Sequence, residues 1–430
     1  MWRKFWNFLS YLWYVLTLDY FQLVSTVIDI LILGWSVFNW SEIANQPTYL
    51  LIFLGILINL VWQVFNVTSH FLFIKRVKKG EPLESMITAT DKGKDFGLIN
   101  VNAYLLDESK PFHYTIDPAM GVLQNEDVDR ALRQESNISL SFAPDKEERT
   151  SEYVHEYKQT LLMFLNQKWH DVNHDGGKFT NDRKICFASE LYEEEGKLSW
   201  RITKGCYYNG YLTNFIFTKY IGGSHYQLYP PMSVNNGAEI KLLSDSDFSD
   251  HIGVSTLLYT LDDEVIIFKQ AASAGYNSSR FMPSGSGSLD LKDYSKGDNL
   301  CSLIIKGAER ELKEESSIGK RKKAREMAAK GITISTTVLC YYRDMERGGK
   351  PEFCCISKIN RKKESISQYF IPEKKEMAKG VREWVKVLKN EHEWADKILP
   401  KASLSLKMNY EALKKYLQEQ EVSHYCHSER

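Results

Sequence analysis

Arg310, Glu311, Glu314 and Glu315 stand together in the run RELKEESSI, residues 310–318. On a helix, the spacing i, i+3, i+4 sends the three carboxylates to one face. Carboxylate oxygens so placed suit Mg²⁺ or Mn²⁺, hard cations that also bridge to phosphate oxygens. Arg310 precedes Glu314 by four residues, a spacing at which guanidinium and carboxylate meet. The chemistry open to such a set is metal-assisted attack of water on phosphorus. Just upstream, PSGSGS at residues 283–288 offers backbone N–H groups to a phosphate through Gly285, Ser286, Gly287 and Ser288. Tight-turn geometry accounts for the same glycines. Downstream, Lys320, Arg321, Lys322, Lys323 and Arg325 offer charge to an anionic ligand, or form a solvated face, or touch anionic lipid.

Weaker constellations accompany these. Asp171, Asn173, Asp175 and Asp182 follow the spacing of an EF-hand calcium loop, but Lys178 sits where an aliphatic residue is usual. His170 and His174 lack a third ligand, and His424, Cys426 and His427 cluster in the terminal tail. No serine–histidine–acid or cysteine–histidine set can be assembled.

The carboxylates need a helix, and residues 303–316 are expected to supply it. Before it, residues 254–260 and 265–269 read as a strand pair joined by the turn LDDE. After it, residues 332–341 and 352–359 read as a long hairpin around RDMERGGKP. Further strands are expected at 97–105, 184–195, 196–205 and 211–221. A helix is expected at 151–169, and a last one at 409–420 with Asn409 as its N-cap.

The front of the chain differs. Residues 21–40 carry Asp29 as their only charge, and residues 49–73 carry no Asp, Glu, Lys or Arg. About 20 apolar residues suffice to cross a bilayer core of about 30 Å, so a two-helix hairpin is expected to span a membrane. Arg3 and Lys4 before it, with Lys75, Arg76, Lys78 and Lys79 after it, place both termini in the cytoplasm by the positive-inside rule. Residues 2–18 read as an interfacial helix on the inner leaflet. Asn59, Gln63, Asn66 and His70 share one face of the second helix. Counted at about 1.5 Å per residue, Asp29 falls about 12 Å deep, level with them. Two readings stay open: a hydrogen-bonded seam, or a wet path among several hairpins.

Composition sets outer limits. The chain has 430 residues, 43% of them hydrophobic, with Lys+Arg and Asp+Glu both at 55. Balanced charge argues against coating a nucleic acid polymer, and the apolar share excludes disordered or collagen-like chains. Seven cysteines, an odd number, fit a reducing compartment.

The 310–318 run resembles the core of the Nudix box, RE-U-x-EE-x-G-U with U aliphatic. Lys296 and Ser302 stand where that pattern has an upstream Gly and Glu, and Ser317 replaces its Gly. The resemblance implies a Nudix-like domain, Mg²⁺ or Mn²⁺ on Glu311, Glu314 and Glu315, and Arg310 orienting those glutamates. Joined to a transmembrane hairpin, it is similar to the membrane effectors of cyclic-oligonucleotide-based antiphage signalling systems (CBASS) of bacteria. That likeness implies a cyclic nucleotide second messenger as ligand. It also implies a homo-oligomeric hairpin that disrupts the inner membrane, and abortive infection as the outcome. The expected fold class is therefore a membrane protein, a two-helix transmembrane hairpin plus a cytoplasmic α+β Nudix-like domain with a mixed sheet and flanking helices. The expected division is 1–20 interfacial helix, 21–73 hairpin, 74–179 connector or extension, 180–400 Nudix-like domain and 401–430 terminal helix and tail. The alternatives are a membrane-tethered Nudix hydrolase of nucleoside-diphosphate derivatives and a non-catalytic scaffold.

Overall fold

The computed structural model describes residues 2–17, 20–61, 87–89, 99–134, 137–158, 161–162, 164–165, 168–169, 179–217, 219–221, 239–270, 279–316, 318–370, 377–386 and 391–428. Gln63, Asn66 and His70 lie outside them, as do residues 170–178 with most of the calcium-loop spacing. So do the side chains of His424, Cys426 and His427.

A nine-stranded mixed sheet organises the domain. Its members are β1 (Thr115–Asp117), β2 (Val122–Gln124), β7 (Gly253–Tyr259), β8 (Glu264–Gln270), β9 (Phe281–Met282), β10 (Gly285–Ser288), β11 (Ile334–Asp344), β12 (Lys350–Ile359) and β13 (Met377–Lys386). The order is β9-β8-β7-β12-β11-β2-β1, with β10 on β7 and β13 on β8. β7 runs parallel to β12, from Gly253 opposite Glu352 to Tyr259 opposite Lys358. Its residues Gly253–Leu258 are all buried, as a strand covered on both faces requires. The other edge of β7 is divided. Gly253–Thr256 pair with β10, and Leu258 and Tyr259 pair with β8.

A second sheet of four strands has the order β3 (Ser139–Phe142), β6 (Lys197–Cys206), β4 (Arg183–Phe187), with β5 (Tyr192–Glu194) on β6. It is stitched to the first: Ile252 N–H donates to Ile185 O at 3.1 Å, and Ile185 N–H to Leu289 O at 3.1 Å.

Helix α6 (Leu300–Glu315) packs between these sheets. Asn299 caps it, accepting from Ser302 N–H at 2.8 Å. Its Leu300, Leu303, Ile304 and Ala308 are buried in a core shared with Phe187, Trp200, Val254 and Phe353. Phe187 and Trp200 stack there at 4.2 Å. On the opposite face, Trp394 and helix α8 (Leu404–Ser428) cover Leu257, Ile267 and Ile356.

Three local expectations change. Residues 211–221 form a strand only at Lys219–Ile221; the segment before it is helix α5 (Tyr207–Leu212) and a 3₁₀ turn. Burial of Tyr208 through Leu212 overrides the strand preference of these aromatics, and a Cβ at position 210 would run into the His251 ring. At 97–105 the described residues form strand only at Asn100–Val101. Asn409 caps nothing; it lies inside α8, donating to Ser255 Oγ at 2.5 Å and Ser405 O at 2.8 Å.

The largest correction concerns the front end. Helices α1 (Trp2–Thr17), α2 (Tyr20–Phe38) and α3 (residues 47–61) form, and Asn59 Nδ2 donates to Asp29 Oδ2 at 2.7 Å across the α2–α3 pair. Yet among the described residues no helix is long and apolar enough to cross a membrane. The expected multi-pass inner-membrane placement with cytoplasmic termini is therefore overturned. Helix α1 divides its aromatics: Trp6, Phe8 and Trp13 are exposed, while Tyr11 and Tyr14 are buried. Tyr11 stacks on Trp169 at 4.9 Å, and the buried Tyr14 hydroxyl donates to Asn209 Oδ1 at 2.5 Å.

Candidate active-site cleft

Where β10 leaves β7, the face of α6 turned from the core closes a cavity of about 470 Å³. Ser286, Gly287 and Ser288 line it, as do Arg310, Glu311, Glu314 and Glu315, so the sequence-predicted carboxylates and Gly/Ser run meet. The Gly/Ser run is a strand rather than a loop. Its glycines answer to a close strand–helix approach: a Cβ on Gly285 would lie 2.5 Å from Leu312 N, and one on Gly287 would strike the Glu311 carboxylate. Ser286 N–H donates to Glu315 Oε2 at 3.0 Å. The basic run 320–325 falls elsewhere. Lys322 is exposed, Lys323 donates to Tyr369 O at 2.7 Å in the neighbourhood of helix α7 (Arg321–Ala329), and neither borders the cleft. Lys320 is exposed ahead of α7 and does not border it either, and the Arg321 side chain lies outside the description.

Arg310 is the hub. Its Nε donates to Asp293 Oδ1 at 2.8 Å and its Nη2 to Asp293 Oδ2 at 2.9 Å, the bidentate fork that guanidinium favours. Nη2 also donates to Ser288 O at 3.0 Å, while Nη1 holds Glu311 Oε1 at 2.7 Å and reaches Glu314 Oε2 at 3.4 Å. Burial alone would favour the neutral guanidine, but Asp293 and the surrounding carboxylates keep Arg310 above its ordinary value. Burial pushes Glu311 up to about 7 even though Arg310 opposes it. Burial also raises Asp290, though it is less deeply buried, yet Lys184, 2.5 Å away, and Arg310 hold it below the usual carboxylate range.

Asp290, Asp293 and Lys184 were not singled out from the sequence. One signal was present: Asp290 and Asp293 form a capping box on the 3₁₀ turn Leu291–Asp293, the D-x-x-D spacing within LDLKD. Their position explains Ser302. At the place of the upstream Glu, Ser302 sits in the first turn of α6, its hydroxyl donating to Asn299 O at 2.9 Å. Asp293 supplies the carboxylate that locks Arg310.

The far wall of the cavity carries Asp344, Arg347, Lys350 and Glu352 from the β11–β12 hairpin, and Tyr207 and Phe215 from the α5 region. Lys350 is buried against Glu352, and Arg347 bonds Glu352 at 3.3 Å. The lysines and arginines lining the cleft are thus already paired, and carboxylates outnumber them.

Among the described residues no three His, Cys, Asp or Glu side chains converge on one metal position. Mg²⁺, however, is commonly held by one or two carboxylates together with phosphates and water. Glu314, more than half exposed, and its neighbour Glu315 fit that demand at the cleft mouth.

No protein-family model matches the chain, and no curated protein matches it in sequence. Solved structures similar to part of it include a MutT protein, an Ap4A hydrolase and a Nudix hydrolase. A MutT protein from Methanosarcina mazei is 13% identical over 39% of this chain and 94% of its own, with a TM-score of 0.25. An Ap4A hydrolase from C. elegans is 15% identical over 40% and 98%, with a TM-score of 0.23. The Nudix hydrolase RenU from M. smegmatis is 13% identical over 40% and 88%, with a TM-score of 0.22. Overlays at this level are a likeness and no more. The domain is Nudix-like on its own features: a mixed sheet, and a strand leading into a helix whose REL-EE face lines the cleft.

Proposed function

We propose that the cleft binds a diphosphate-bearing ligand in Nudix fashion and cleaves its phosphoanhydride. The observation that carries this reading is the Arg310 hub, locked by Asp293 while orienting Glu311 and Glu314 over a cavity of about 470 Å³. With carboxylates in excess and the cations paired, bare phosphate would be repelled; a ligand entering with a divalent cation matches the site. That cation, held by Glu314 and Glu315, would supply Lewis acidity and ease deprotonation of water. Glu311, titrating near 7, is poised to take the proton of the attacking water at neutral pH. The water oxygen bonds to phosphorus as the bridging P–O bond breaks, and the leaving phosphate carries away the electron pair. The test is Mg²⁺-dependent hydrolysis of diphosphate-linked compounds by the full chain. Glu311→Gln should lower turnover by about 10²- to 10⁴-fold without unfolding the protein. Unchanged turnover in that variant would sink the assignment.

Ser302 in place of the upstream Glu favours a second reading, recognition of a cyclic nucleotide without turnover, as the likeness to CBASS effectors implies. Calorimetry against cyclic di- and trinucleotides separates the two: tight binding with no product formed supports the sensor.

A further inference from the structure

The cavity has a second end that the phosphate chemistry does not use. Tyr207 opens α5 and Phe215 lies in the 3₁₀ turn that follows, a segment outside the nine-stranded sheet and its carboxylate helix. Their neighbours Tyr208, Tyr211 and Leu212 are buried in the core. Tyr207 and Phe215 instead keep part of their surface on the cleft, ring centres 6.2 Å apart.

Both rings are braced. Phe179 meets Tyr207 edge-on at 5.7 Å. The Arg347 guanidinium packs over Phe215 at 4.7 Å and is itself tied to Asp344 and Glu352. Lys184 joins the two ends of the cavity, its Nζ lying 2.5 Å from Asp290 and 5.9 Å from the centre of the Tyr207 ring. Rings fixed before binding lose little freedom when a flat partner stacks on them. Stacking on aromatic side chains is a general way of holding a nucleobase, since every base has a π-face.

We propose that Tyr207 and Phe215 are specificity-determining residues that stack a planar ring carried by the diphosphate ligand, so that the site selects nucleotides over ring-free phosphoanhydrides. This rests on the phosphate-binding reading above and adds the class of ligand. It also gives the segment around α5 a share in the site.

The experiment is calorimetric titration of the full chain, in excess Mg²⁺, with ADP and separately with inorganic pyrophosphate. ADP is expected to bind about 10- to 100-fold more tightly. Tyr207→Ala and Phe215→Leu should each remove most of that advantage while pyrophosphate binding stays as it was, and Tyr207→Phe should keep it. Equal affinity for the two ligands, or variants that weaken both alike, overturns the stacking role and leaves the phosphate site standing. Failure of both ligands to bind overturns the phosphate site and the stacking role together.

Discussion

Asp29 on α2 and Glu311 on α6 are both buried carboxylates on helices with apolar faces. Around Asp29 the structure builds a pair of helices, with the neutral donor Asn59 at 2.7 Å. Around Glu311 it builds a cation at 2.7 Å, a bidentate aspartate behind that cation, and a cavity. On the same two helices Leu31, Phe38, Leu51 and Ile58 are exposed, whereas Leu312 beside Glu311 is fully buried. A carboxylate on a helix becomes chemically useful when elements distant in sequence surround it with charge and space.

The sharpest way to break this contrast is to remove the hub. Arg310→Ala strands Asp293 and Glu311 without their cation and should cost about 3–5 kcal/mol of stability by urea unfolding. Arg310→Lys restores the charge but not the fork and should recover only part. In the hairpin, Asp29→Leu leaves Asn59 without this acceptor and should cost about 1–3 kcal/mol. Hydrolysis by that variant should be unaltered; a fall in turnover would show that the two regions are not independent.

A pH profile sharpens the contrast further. Glu311 is raised from 4.5 to about 7, so its share of stability is full below about 4.5 and is lost as pH climbs through 7. His251, buried and lowered from 6.5 to about 3, acts oppositely: its share is full above 6.5 and is lost as pH falls toward 3. Glu311→Gln should therefore gain on the wild type in melting temperature as pH rises from 4.5 to 7, and a constant difference would refute the assignment. The smallest effect belongs to the cap of α6, where Asn299→Ala should cost about 1 kcal/mol.

What the sequence made legible was local. The carboxylate face of α6 follows from the spacing of Glu311, Glu314 and Glu315, and the flanking strands from continuous runs such as VSTLLYT. The partners beyond the helix were not legible, because Asp293 reaches Arg310, and Lys184 reaches Asp290, from elements placed by packing. The glycines at 285 and 287 suggested a turn; only the approach of α6 reveals that they are strand residues without room for a side chain. Phe215 sat in the stretch 211–221 read as strand and Tyr207 just before it, whereas burial of Tyr208 through Leu212 made a helix followed by a 3₁₀ turn. The membrane placement was expected from apolar length, but among the described residues no helix is long and apolar enough to cross a bilayer.

The bond from Tyr14 to Asn209 carries a practical meaning. Shortening the protein to begin beyond residue 80 would do more than drop two apolar helices. It would uncover the surface on which Tyr11 and Tyr14 rest, baring Trp169 and Tyr208 directly behind the segment that forms one wall of the cleft. Such a fragment would be prone to clump, and poor behaviour on its part would say nothing about catalysis.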